Sequence, residues 1–372
     1  MTAPLILLTA GGTGGHLFPA EALANALKDV GARVALVTDK RANAYAGSFP
    51  AEEIIEIPSA TPSGRSIPQM AKAGLLLAKG TAQAVPVLRR LRPAVVVGFG
   101  GYPTVPPVIA ASLLGIPTAI HEANGVLGRA NRLLARRASL IATGFTVTKG
   151  IPEGVRGEVS HTGNPIRPMV MTAAATAYPN LSQGGPIRLL AFGGSQGARV
   201  MSDVVPASIQ MLPDEVRSRV MVCQQARMED LDRVRAIYRG LHVACEVEPF
   251  FKDLPQRIAD SHLVVSRSGA STVAELSVIG RPSILVPLPG SLDQDQAANA
   301  RTLEEIGAAI VLPQAEFTPE RLAREIQDLF GTPERLTRAA SAAKSAGITD
   351  AAQRLAQAVL KLASTYKNGT KA

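Results

Sequence analysis

Short apolar runs alternate with segments of helical periodicity along most of the chain. The first run, Leu5–Thr9, is followed by a glycine loop and then by apolar residues at helical spacing. The stretch from Pro186 repeats this order with the run IRLLAF and a second glycine loop. Continuous Val, Ile and Leu runs of this length are typical of parallel strands covered on both faces. The pattern therefore predicts strand–loop–helix units in both halves of the chain.

Further apolar runs extend this prediction to two complete sheets. Additional strands are predicted at RVALVTD from 33, AVVVG from 94, TAI from 118, LIATG from 140, RVMVC from 219, LVVS from 263, SILVP from 283 and AIVL from 309. Alternating strands and helices predict an α/β fold of two tandem, Rossmann-like doubly wound domains with an interdomain cleft. The proline-rich stretch Gly163–Pro186 predicts the boundary, giving domains 1–166 and 167–349. A final amphipathic helix is predicted at about 350–366.

The charge is concentrated in one segment. The chain has 372 residues and a net charge of +9, yet residues 57–152 alone hold eleven basic residues and one acidic residue, or +10. A one-sided basic field favours a polyanionic partner: a nucleic acid, an anionic lipid surface or phosphates. Aromatic residues make up only 4% of the chain and no reading motif is present, which argues against nucleic acid. Two cysteines are too few for a disulfide framework, which favours a reduced, cytoplasmic setting.

Membrane insertion is not expected. Residues 93–120 carry no charge over 28 positions, but six glycines and prolines within Gly98–Pro107, together with Gly115 and Pro117, argue against a lipid-exposed helix. The stretch around Ile67–Arg92 instead mixes basic and apolar residues without acids. Such a stretch is typical either of a helix lying on an anionic membrane or of ordinary surface helices with one face in the core. The predicted contacts with the membrane are Lys72, Leu75, Leu76, Lys79, Arg89 and Arg90.

Three glycine loops are candidate phosphate sites. GGTGGH at 11–16 and GGSQGA at 193–198 each follow a strand, precede a helix and contain a hydroxyl residue, Thr13 or Ser195. Small residues let the backbone approach a phosphate, and the N–H groups at a helix start attract it. Neither loop has the Gly-Lys-Ser/Thr ending of a P-loop. A third loop, GFGGYPT at 98–104, has the same position after a strand, although a simple structural turn explains it equally well.

Several polar residues near predicted strand ends are candidate catalytic or ligand groups. His16 lies near a helix N-terminus, where the positive dipole favours the neutral imidazole that a general base needs, although a loop-capping role is the alternative. Glu122, in the group His121–Asn124, is either a ligand contact or a partner for a nearby arginine. Glu275 follows a Ser/Gly loop and is placed to accept from a ribose diol, while a helix N-cap explains the neighbouring hydroxyls. The pair Asp293 and Asp295 supplies too few ligands to predict a metal site.

Together, seven motifs resemble those of the MurG family of peptidoglycan N-acetylglucosaminyltransferases. They are GGTGGHLFPA, GFGGYPT, HEANGVLGRAN, GNPIR, GGSQGAR, RSGASTVAEL and DQDQAANA, in the family's order from Gly11 to Ala300. The resemblance implies the two-domain GT-B glycosyltransferase fold, with the final helix packing back on the first domain. It also implies transfer of GlcNAc from UDP-GlcNAc to the C4 hydroxyl of MurNAc in lipid I (undecaprenyl-pyrophosphoryl-MurNAc-pentapeptide), with inversion, to give lipid II and UDP. No cofactor or metal is expected.

The resemblance also implies roles for individual residues. The donor site is expected to comprise Thr13, Gly14, Gly15, Asn124, Arg167, Ser195, Phe251 through its backbone, Ala270, Ser271, Thr272, Glu275 and Gln296. The acceptor is expected at Gly14, Gly15, Gly100, Gly101, Tyr102 and His121. His16 is the predicted general base, with Asp39 and Glu122 as rivals. The expected location is the cytoplasmic side of the inner membrane, as a peripheral protein, with cell-wall synthesis proteins as candidate partners.

Two positions depart from the family's usual residues. Ala123 stands where Gln is frequent, and Asp295 stands where His or Gln is frequent. The first removes an amide from the expected site. The second brings a carboxylate near the donor sugar, which leaves the role of Gln296 less defined.

Two other function classes are compatible with parts of the pattern. A nicotinamide-dependent oxidoreductase would share the strand–loop–helix start, with Asp39 as the ribose-binding acid, but the G-x-G-x-x-G spacing is absent. A membrane-docked nucleotide-sugar sensor or carrier would share the loops but would not need His16 or the polar group at 121–124. Transfer of label from UDP-GlcNAc to a lipid I analogue separates these classes from the transferase.

Overall fold

The computed structural model describes residues 3–11, 14–40, 49–58, 67–182, 184–194, 197–291 and 294–369, without the side chains of 67–70 and 367–369. The chain divides into two compact units. The first comprises Met1–Arg167 together with Asp350–Ala372, and the second comprises Pro168–Thr349.

The first unit is built on a parallel sheet. Its strands in the described residues are β1 Leu5–Thr9, β2 Arg33–Thr38, β3 Glu53–Glu56, β4 Val95–Gly98, β5 Thr118–Glu122, β6 Leu140–Thr143 and β7 Glu158–His161. Its described helices are α1 Gly14–Asp29, α2 Ile67–Leu91, α3 Val105–Leu113, α4 Arg129–Leu134 and the C-terminal helix Ala351–Gly369, with a short 3₁₀ turn at Tyr102–Thr104. The strand order is β3-β2-β1-β4-β5-β6-β7, and every pairing is parallel.

Alternate residues of β1 enter two separate cores. Ile6 and Leu8 pack with Leu23 and Leu27 of α1 and with Leu355 of the C-terminal helix. Leu5 and Leu7 face the other side, where α2, α3 and α4 supply Leu88, Val108 and Leu134. Since side chains alternate along a strand, an apolar run five residues long is what a sheet covered on both faces requires.

The second unit repeats this design. Its described strands are β8 Ile187–Phe192, β9 Val220–Gln225, β10 Ala244–Glu248, β11 Leu263–Ser266, β12 Ser283–Leu285 and β13 Ala309–Val311. Its described helices are α5 Pro168–Ala174, α6 Arg199–Gln210, α7 Asp214–Arg217, α8 Leu231–Gly240, α9 Leu254–Asp260, α10 Ala270–Ile279, α11 Asp295–Glu304, α12 Pro319–Phe330 and α13 Pro333–Ala346, with a 3₁₀ turn at Met228–Asp230. We number the C-terminal helix α14. The strand order is β10-β9-β8-β11-β12-β13, again all parallel.

Both sheets confirm the predicted α/β class, and the predicted strands are all present. Three strands were not expected from the sequence: β3, β7 and β10. Each lies at the edge of its sheet. Each also has exposed side chains, unlike the interior strands β1 and β4. The final helix runs over Ala351–Gly369 with Leu355 and Val359 fully buried, as its amphipathic pattern predicts.

The uncharged stretch 93–120 forms β4, the 3₁₀ turn, α3 and β5. Of the helices in the described ranges, none combines the length and the apolar character needed to cross a bilayer.

Candidate active site

The carboxyl ends of β1, β2 and β4 bring together the first and third glycine loops of the first unit. Gly11 follows β1, and a Cβ atom on it would lie 2.7 Å from the Pro103 side chain and 3.2 Å from Oδ1 of the buried Asp39. Only glycine fits this approach. The loop then enters α1 at Gly14, which is buried, and Gly15, which is exposed. Thr13 lies outside the described residues.

His16 packs against the third loop. A Cβ atom on Gly100 would lie 3.3 Å from the His16 ring, and one on Gly101 would lie 3.4 Å from it. Both glycines have positive φ angles, 86° and 73°, which favour residues without a side chain. Burial lowers the pKa of His16, while the charge of Glu122 and the Gly11 backbone act in the opposite direction. His16 is therefore neutral near pH 7 and able to accept a proton.

Glu122 has a saturated hydrogen-bond shell at the end of β5. Its Oε1 accepts from the backbone N–H and the side-chain amide of Asn124, both at 3.0 Å. Its Oε2 accepts from the backbone N–H of Gly128 and from Nδ2 of Asn131, both at 2.9 Å. The residue is 3% exposed. Four donors satisfy the carboxylate, so its geometry is that of a group which orients two asparagines rather than one that takes a substrate proton.

His121 is turned into the protein. It is 0% exposed, its ring lies 5.5 Å from that of Phe99, and its Nε2 lies 3.1 Å from the Gly163 carbonyl oxygen. Burial is the main cause that lowers the pKa of His121 to about 4, so the neutral ring donates Nε2–H to that carbonyl. The acceptor contact suggested by the sequence for His121 stays a prediction; in the structure its ring links β5 to the GNPIR segment through the Gly163 carbonyl. Tyr102, at the start of the 3₁₀ turn, is half-buried.

The GNPIR segment is held beside α1. Asn164 donates to the Ala123 carbonyl at 2.9 Å, and a Cβ atom on Gly144 would overlap the Asn164 side chain at 2.1 Å. The Arg167 guanidinium lies 3.9 Å above the Phe18 ring. Phe18 is in the first turns of the helix that carries His16, so a cation–π contact holds the Arg167 guanidinium against the start of this helix.

In the second unit, the glycine loop after β8 packs against the end of β9. A Cβ atom on Gly193 would lie 2.2 Å from the Ala198 backbone nitrogen, and Gly194 and Gly197 have positive φ angles. The loop leads into α6 at Arg199. Ser195, the predicted phosphate contact, lies outside the described residues.

Two adjacent phenylalanines follow β10 and differ in exposure. Phe251 is 6% exposed, and the Arg257 guanidinium lies 4.2 Å above its ring. Its side chain is thus occupied, which leaves its backbone for a ligand. Phe250 is 55% exposed and presents a ring on which a planar base could stack. Sequence reasoning missed Phe250, because nothing in two consecutive phenylalanines indicates which one faces outward.

A third loop of the second unit joins β11 to α10. Gly269 caps α10, and the half-buried Ser271 and Thr272 follow the buried Ala270. Oγ of Ser271 is buried and has no hydrogen-bond partner among the residues described. Glu275, one turn later, is 8% exposed and stands four residues from Ser271, so both side chains share one helix face.

Gln296 is oriented by its neighbours. Its Oε1 accepts from the Leu288 backbone N–H at 3.0 Å, and its carbonyl accepts from Ser268 Oγ at 2.9 Å. The amide NH₂ is therefore the end that points away from this contact. Asp295 accepts from the Gln296 backbone N–H at 2.8 Å. The unusual carboxylate at 295 thus serves the start of α11, where the helix dipole favours an acid.

No set of three or more His, Cys, Asp or Glu side chains is grouped as metal ligands within the described ranges. Asp293, one member of the Asp-x-Asp pair, falls outside them.

The predicted membrane-facing residues lie along α2. Lys72, Lys79 and Arg89 are exposed, Leu75 is 71% exposed and Leu76 is half-buried. Arg90 is different, because its Nη2 lies 2.6 Å from Oε1 of Glu53 and its Nη1 lies 3.1 Å from Oε2. A bidentate partner on β3 already neutralises that guanidinium.

Comparison with known proteins agrees with the sequence motifs. The glycosyltransferase family 28 N-terminal domain matches residues 6–143, and the glycosyltransferase family 28 C-terminal domain matches residues 188–355. A UDP-N-acetylglucosamine–N-acetylmuramyl-(pentapeptide) pyrophosphoryl-undecaprenol N-acetylglucosamine transferase of Methylobacterium sp. (strain 4-46) is 62% identical, over 97% of each chain. The transferase of the same name from Rhodopseudomonas palustris (strain HaA2) is 55% identical, over 97% of this chain and 99% of its own.

The fold comparison leads to the same family. The crystal structure of Acinetobacter baumannii MurG is similar with a TM-score of 0.76 and 28% identity, covering 96% of this chain and 100% of that one. Both domain models match in order, and relatives align over nearly their full length. The chain therefore belongs to the MurG family of N-acetylglucosaminyltransferases, within glycosyltransferase family 28.

Proposed function

We propose that this protein transfers N-acetylglucosamine from UDP-N-acetylglucosamine to the C4 hydroxyl of the N-acetylmuramoyl sugar of lipid I, giving lipid II and UDP in peptidoglycan synthesis. The observation that carries the proposal is the near full-length match to transferases of that name at about 60% identity. The glycine loops at the strand ends of both sheets fit this reaction, because both substrates carry a diphosphate. Membership of a glycosyltransferase family also argues against the alternative of a nicotinamide-dependent oxidoreductase.

The reaction is a single displacement. The acceptor oxygen forms a bond to the anomeric carbon of GlcNAc, while the bond from that carbon to the β-phosphate oxygen breaks and UDP leaves with the electron pair. The sugar changes from α to β through an oxocarbenium-like transition state. The proton of the C4 hydroxyl needs an acceptor. His16 fits this role best, since it is neutral and touches the third glycine loop, whereas the oxygens of Glu122 already accept four hydrogen bonds.

The donor is assigned mainly to the second unit. In this proposal Glu275 accepts from the ribose diol, the Phe251 backbone and the Phe250 ring contact the uracil, and Gln296 donates to the sugar. Ser195, Ala270, Ser271 and Thr272 contact the diphosphate and its surroundings, and Thr13, Gly14, Gly15, Asn124 and Arg167 complete the donor contacts from the first unit. The Oγ of Ser271, for which the described part of the chain offers no hydrogen-bond partner, supports this assignment.

The acceptor is assigned to the first unit. Its pyrophosphate meets backbone N–H groups at Gly14, Gly15, Gly100 and Gly101, with Tyr102 beside them. Four hydrogen bonds to Glu122 fix Asn124 and Asn131 at this edge. His121 acts indirectly, by positioning the segment that ends in Arg167.

The leaving diphosphate is stabilised by loop N–H groups and by helix N-termini, and no metal ion is required in this proposal. Preorganised dipoles of this kind stabilise charge that develops in a transition state.

The protein is further proposed to work as a peripheral protein on the cytoplasmic face of the inner membrane, where α2 meets anionic lipid and cell-wall synthesis proteins are candidate partners. The exposed Leu75 beside Lys72 and Lys79 supports the contact.

One assay tests the function. Purified protein is incubated with radiolabelled UDP-GlcNAc and a lipid I analogue, with and without EDTA, and the extracted lipid is counted. We expect label in the lipid product, equal in both arms. Absence of transfer would contradict the reaction, and transfer that EDTA abolishes and Mg²⁺ restores would contradict metal independence alone. Donor hydrolysis without acceptor serves as the blank.

A further inference from the structure

Gln225 joins two loops that the proposed donor must contact at the same time. It is the last residue of β9, the strand that lies between β8 and β10 in the second sheet. The side chain is 5% exposed. The glycine loop leaves β8 on one side of it, and the Pro249–Phe251 segment leaves β10 on the other.

The side-chain amide makes one hydrogen bond to each loop. Its Oε1 accepts from the Gly193 backbone N–H at 3.0 Å. Its Nε2 donates to the Pro249 carbonyl oxygen at 3.1 Å. A primary amide has an acceptor at one end and donors at the other, so a single glutamine satisfies both backbone groups without competition.

Both contacted residues control the backbone that follows them. Gly193 starts the glycine loop in a position where any Cβ atom would overlap the Ala198 nitrogen at 2.2 Å. Pro249 directly precedes Phe250 and Phe251, and proline has a restricted backbone. The backbone ladder of β8, β9 and β10 sets the separation of the strands. Beyond the strand ends, the two bonds of Gln225 link the first residue of each segment to one side chain.

We propose that Gln225 is a positioning residue that holds the diphosphate loop and the uracil-binding segment in a fixed relative position, so that a nucleoside diphosphate engages both at once. The inference rests on the proposed function, since it assumes a uridine diphosphate donor in this unit. Two sub-sites held at the correct spacing bind a joined ligand far more tightly than either part, because the ordering cost is met once. Gln225 acts through the two backbones and does not itself touch the ligand.

The adjacent Gln224 supplies a matched control. It points to the opposite face of β9, as successive strand residues do, and it is 0% exposed. Its Nε2 donates to the Met201 carbonyl at 3.1 Å and its Oε1 accepts from the Tyr238 hydroxyl at 2.5 Å. It is a buried, doubly bonded glutamine like Gln225, yet both its partners lie in the helix layer, in α6 and α8.

The experiment compares Gln225→Met with Gln224→Met, a substitution that keeps the side-chain length and removes both bonds. Binding of UDP and of uridine is measured by titration, and thermal unfolding is followed in parallel. For Gln225→Met we expect UDP affinity to fall about tenfold, while uridine affinity changes by less than about threefold. For Gln224→Met we expect a lower melting temperature and unchanged UDP affinity. Gln225→Asn, which keeps the amide but shortens the reach, should reproduce the Gln225→Met pattern if that variant does not fold.

Donor kinetics add a second readout. The donor KM of the Gln225 variants should rise while kcat and the acceptor KM stay near wild type. Unchanged UDP affinity in both Gln225 variants, or equal losses for UDP and uridine, would overturn the inference. Failure of the wild-type protein to bind UDP would overturn the proposed donor as well, so the two failures are distinguishable.

Discussion

At the scale of single residues, burial and hydrogen bonding separate the chemistry of His16 from that of its neighbours. His16 and Glu122 are close enough for the carboxylate charge to raise the pKa of the imidazole, yet burial outweighs that effect and lowers it. Glu122 is held by four donors from Asn124, Gly128 and Asn131. These four hydrogen bonds fill the acceptor sites of the carboxylate, which leaves none for the proton of a substrate hydroxyl. The neutral imidazole of His16 has one ring nitrogen that can accept a proton.

Replacement of His16 therefore tests the proton acceptor. We expect His16→Ala to lower kcat by about 10²–10⁴-fold, the usual contribution of a general base, with donor KM changed by less than about threefold. Asp39→Asn is the comparison, because Asp39 lies beside the same glycine loop. Steady-state rates, measured with the concentrations of both substrates varied, give kcat and the donor KM of both variants. A kcat for His16→Ala within threefold of wild type, together with a large loss in Asp39→Asn, would transfer the role to Asp39.

Residue roles were predictable from sequence only where local spacing defines them. The glycine loops, His16 and Glu275 follow from position after a strand or within the first turn of a helix. Gln225, Phe250 and His121 do not, because their roles depend on which side of a strand or loop end is buried. His121 and Glu122 are adjacent, and no local pattern distinguishes a ring that is 0% exposed and bonded to Gly163 from a carboxylate bonded to two asparagines.

At the scale of elements, the same physical reason explains which strands the sequence indicates. Interior strands such as β1 and β4 are buried throughout and read as continuous apolar runs. The edge strand β3 has the sequence EIIE, with Ile54 38% exposed, and β7 has EVSH, with Val159 47% exposed. A strand paired on one side needs fewer apolar residues. Its position is set by the neighbouring strand, and that is information the run itself does not contain.

Helix α2 is the element that a membrane test addresses. We expect the triple variant Lys72→Glu, Lys79→Glu and Arg89→Glu to bind anionic vesicles at least about tenfold more weakly, since each basic residue near such a surface contributes on the order of 1 kcal/mol. Wild-type binding should weaken as salt rises from about 0.05 to 0.5 M, as screening predicts. Co-sedimentation with phosphatidylglycerol-containing vesicles measures both effects. Arg90 is left unchanged, because Glu53 holds it on β3.

The control for α2 is Lys361→Glu. Lys361 is exposed on α14, which packs with α1 on the face of the sheet opposite α2. The variant changes the charge by the same amount per residue but on the other face. Each of the three α2 substitutions is also made singly. Equal losses of vesicle affinity for Lys361→Glu and for these single variants would mean that net charge, and not this helix, governs binding.

At the scale of the whole molecule, the distribution of charge fits the proposed roles of the two units, with the acceptor assigned to the first and the donor mainly to the second. Residues 57–152 belong to the first unit and carry +10, while the remaining 28 basic and 29 acidic residues sum to −1. A soluble nucleotide sugar needs only local N–H donors and a few side chains. A lipid-linked pyrophosphate is presented at an anionic surface, and a basic field around its site lowers the free energy of approach.

Stability in acid is a property of the whole chain to which three of its histidines contribute. Burial lowers the pKa of His16, His121 and His262, and for His121 the value falls from 6.5 to about 4. In the unfolded chain these rings take up a proton near pH 6.5, whereas the folded chain excludes it until lower pH. The unfolded state thus binds more protons between these values, so the free energy of unfolding is greatest above about pH 6.5 and falls as the pH drops toward 4. For His121 alone the loss is on the order of 3 kcal/mol.

Urea unfolding at pH steps from 7.5 to 4.5 measures this loss, followed by far-UV circular dichroism because the chain contains no tryptophan. His121→Gln keeps a side-chain amide that can donate to the Gly163 carbonyl but cannot titrate. We expect this variant to be less stable than wild type at pH 7.5, since Phe99 loses its ring partner, and to lose less stability on acidification. Exposed carboxylates such as Glu52 and Glu53, whose pKa values are lowered by Arg33 and Arg90, also favour unfolding in acid, but they do so equally in both proteins. The difference between the two slopes therefore isolates the histidine, and parallel slopes would show that His121 titrates over the same pH range in the folded and unfolded chains.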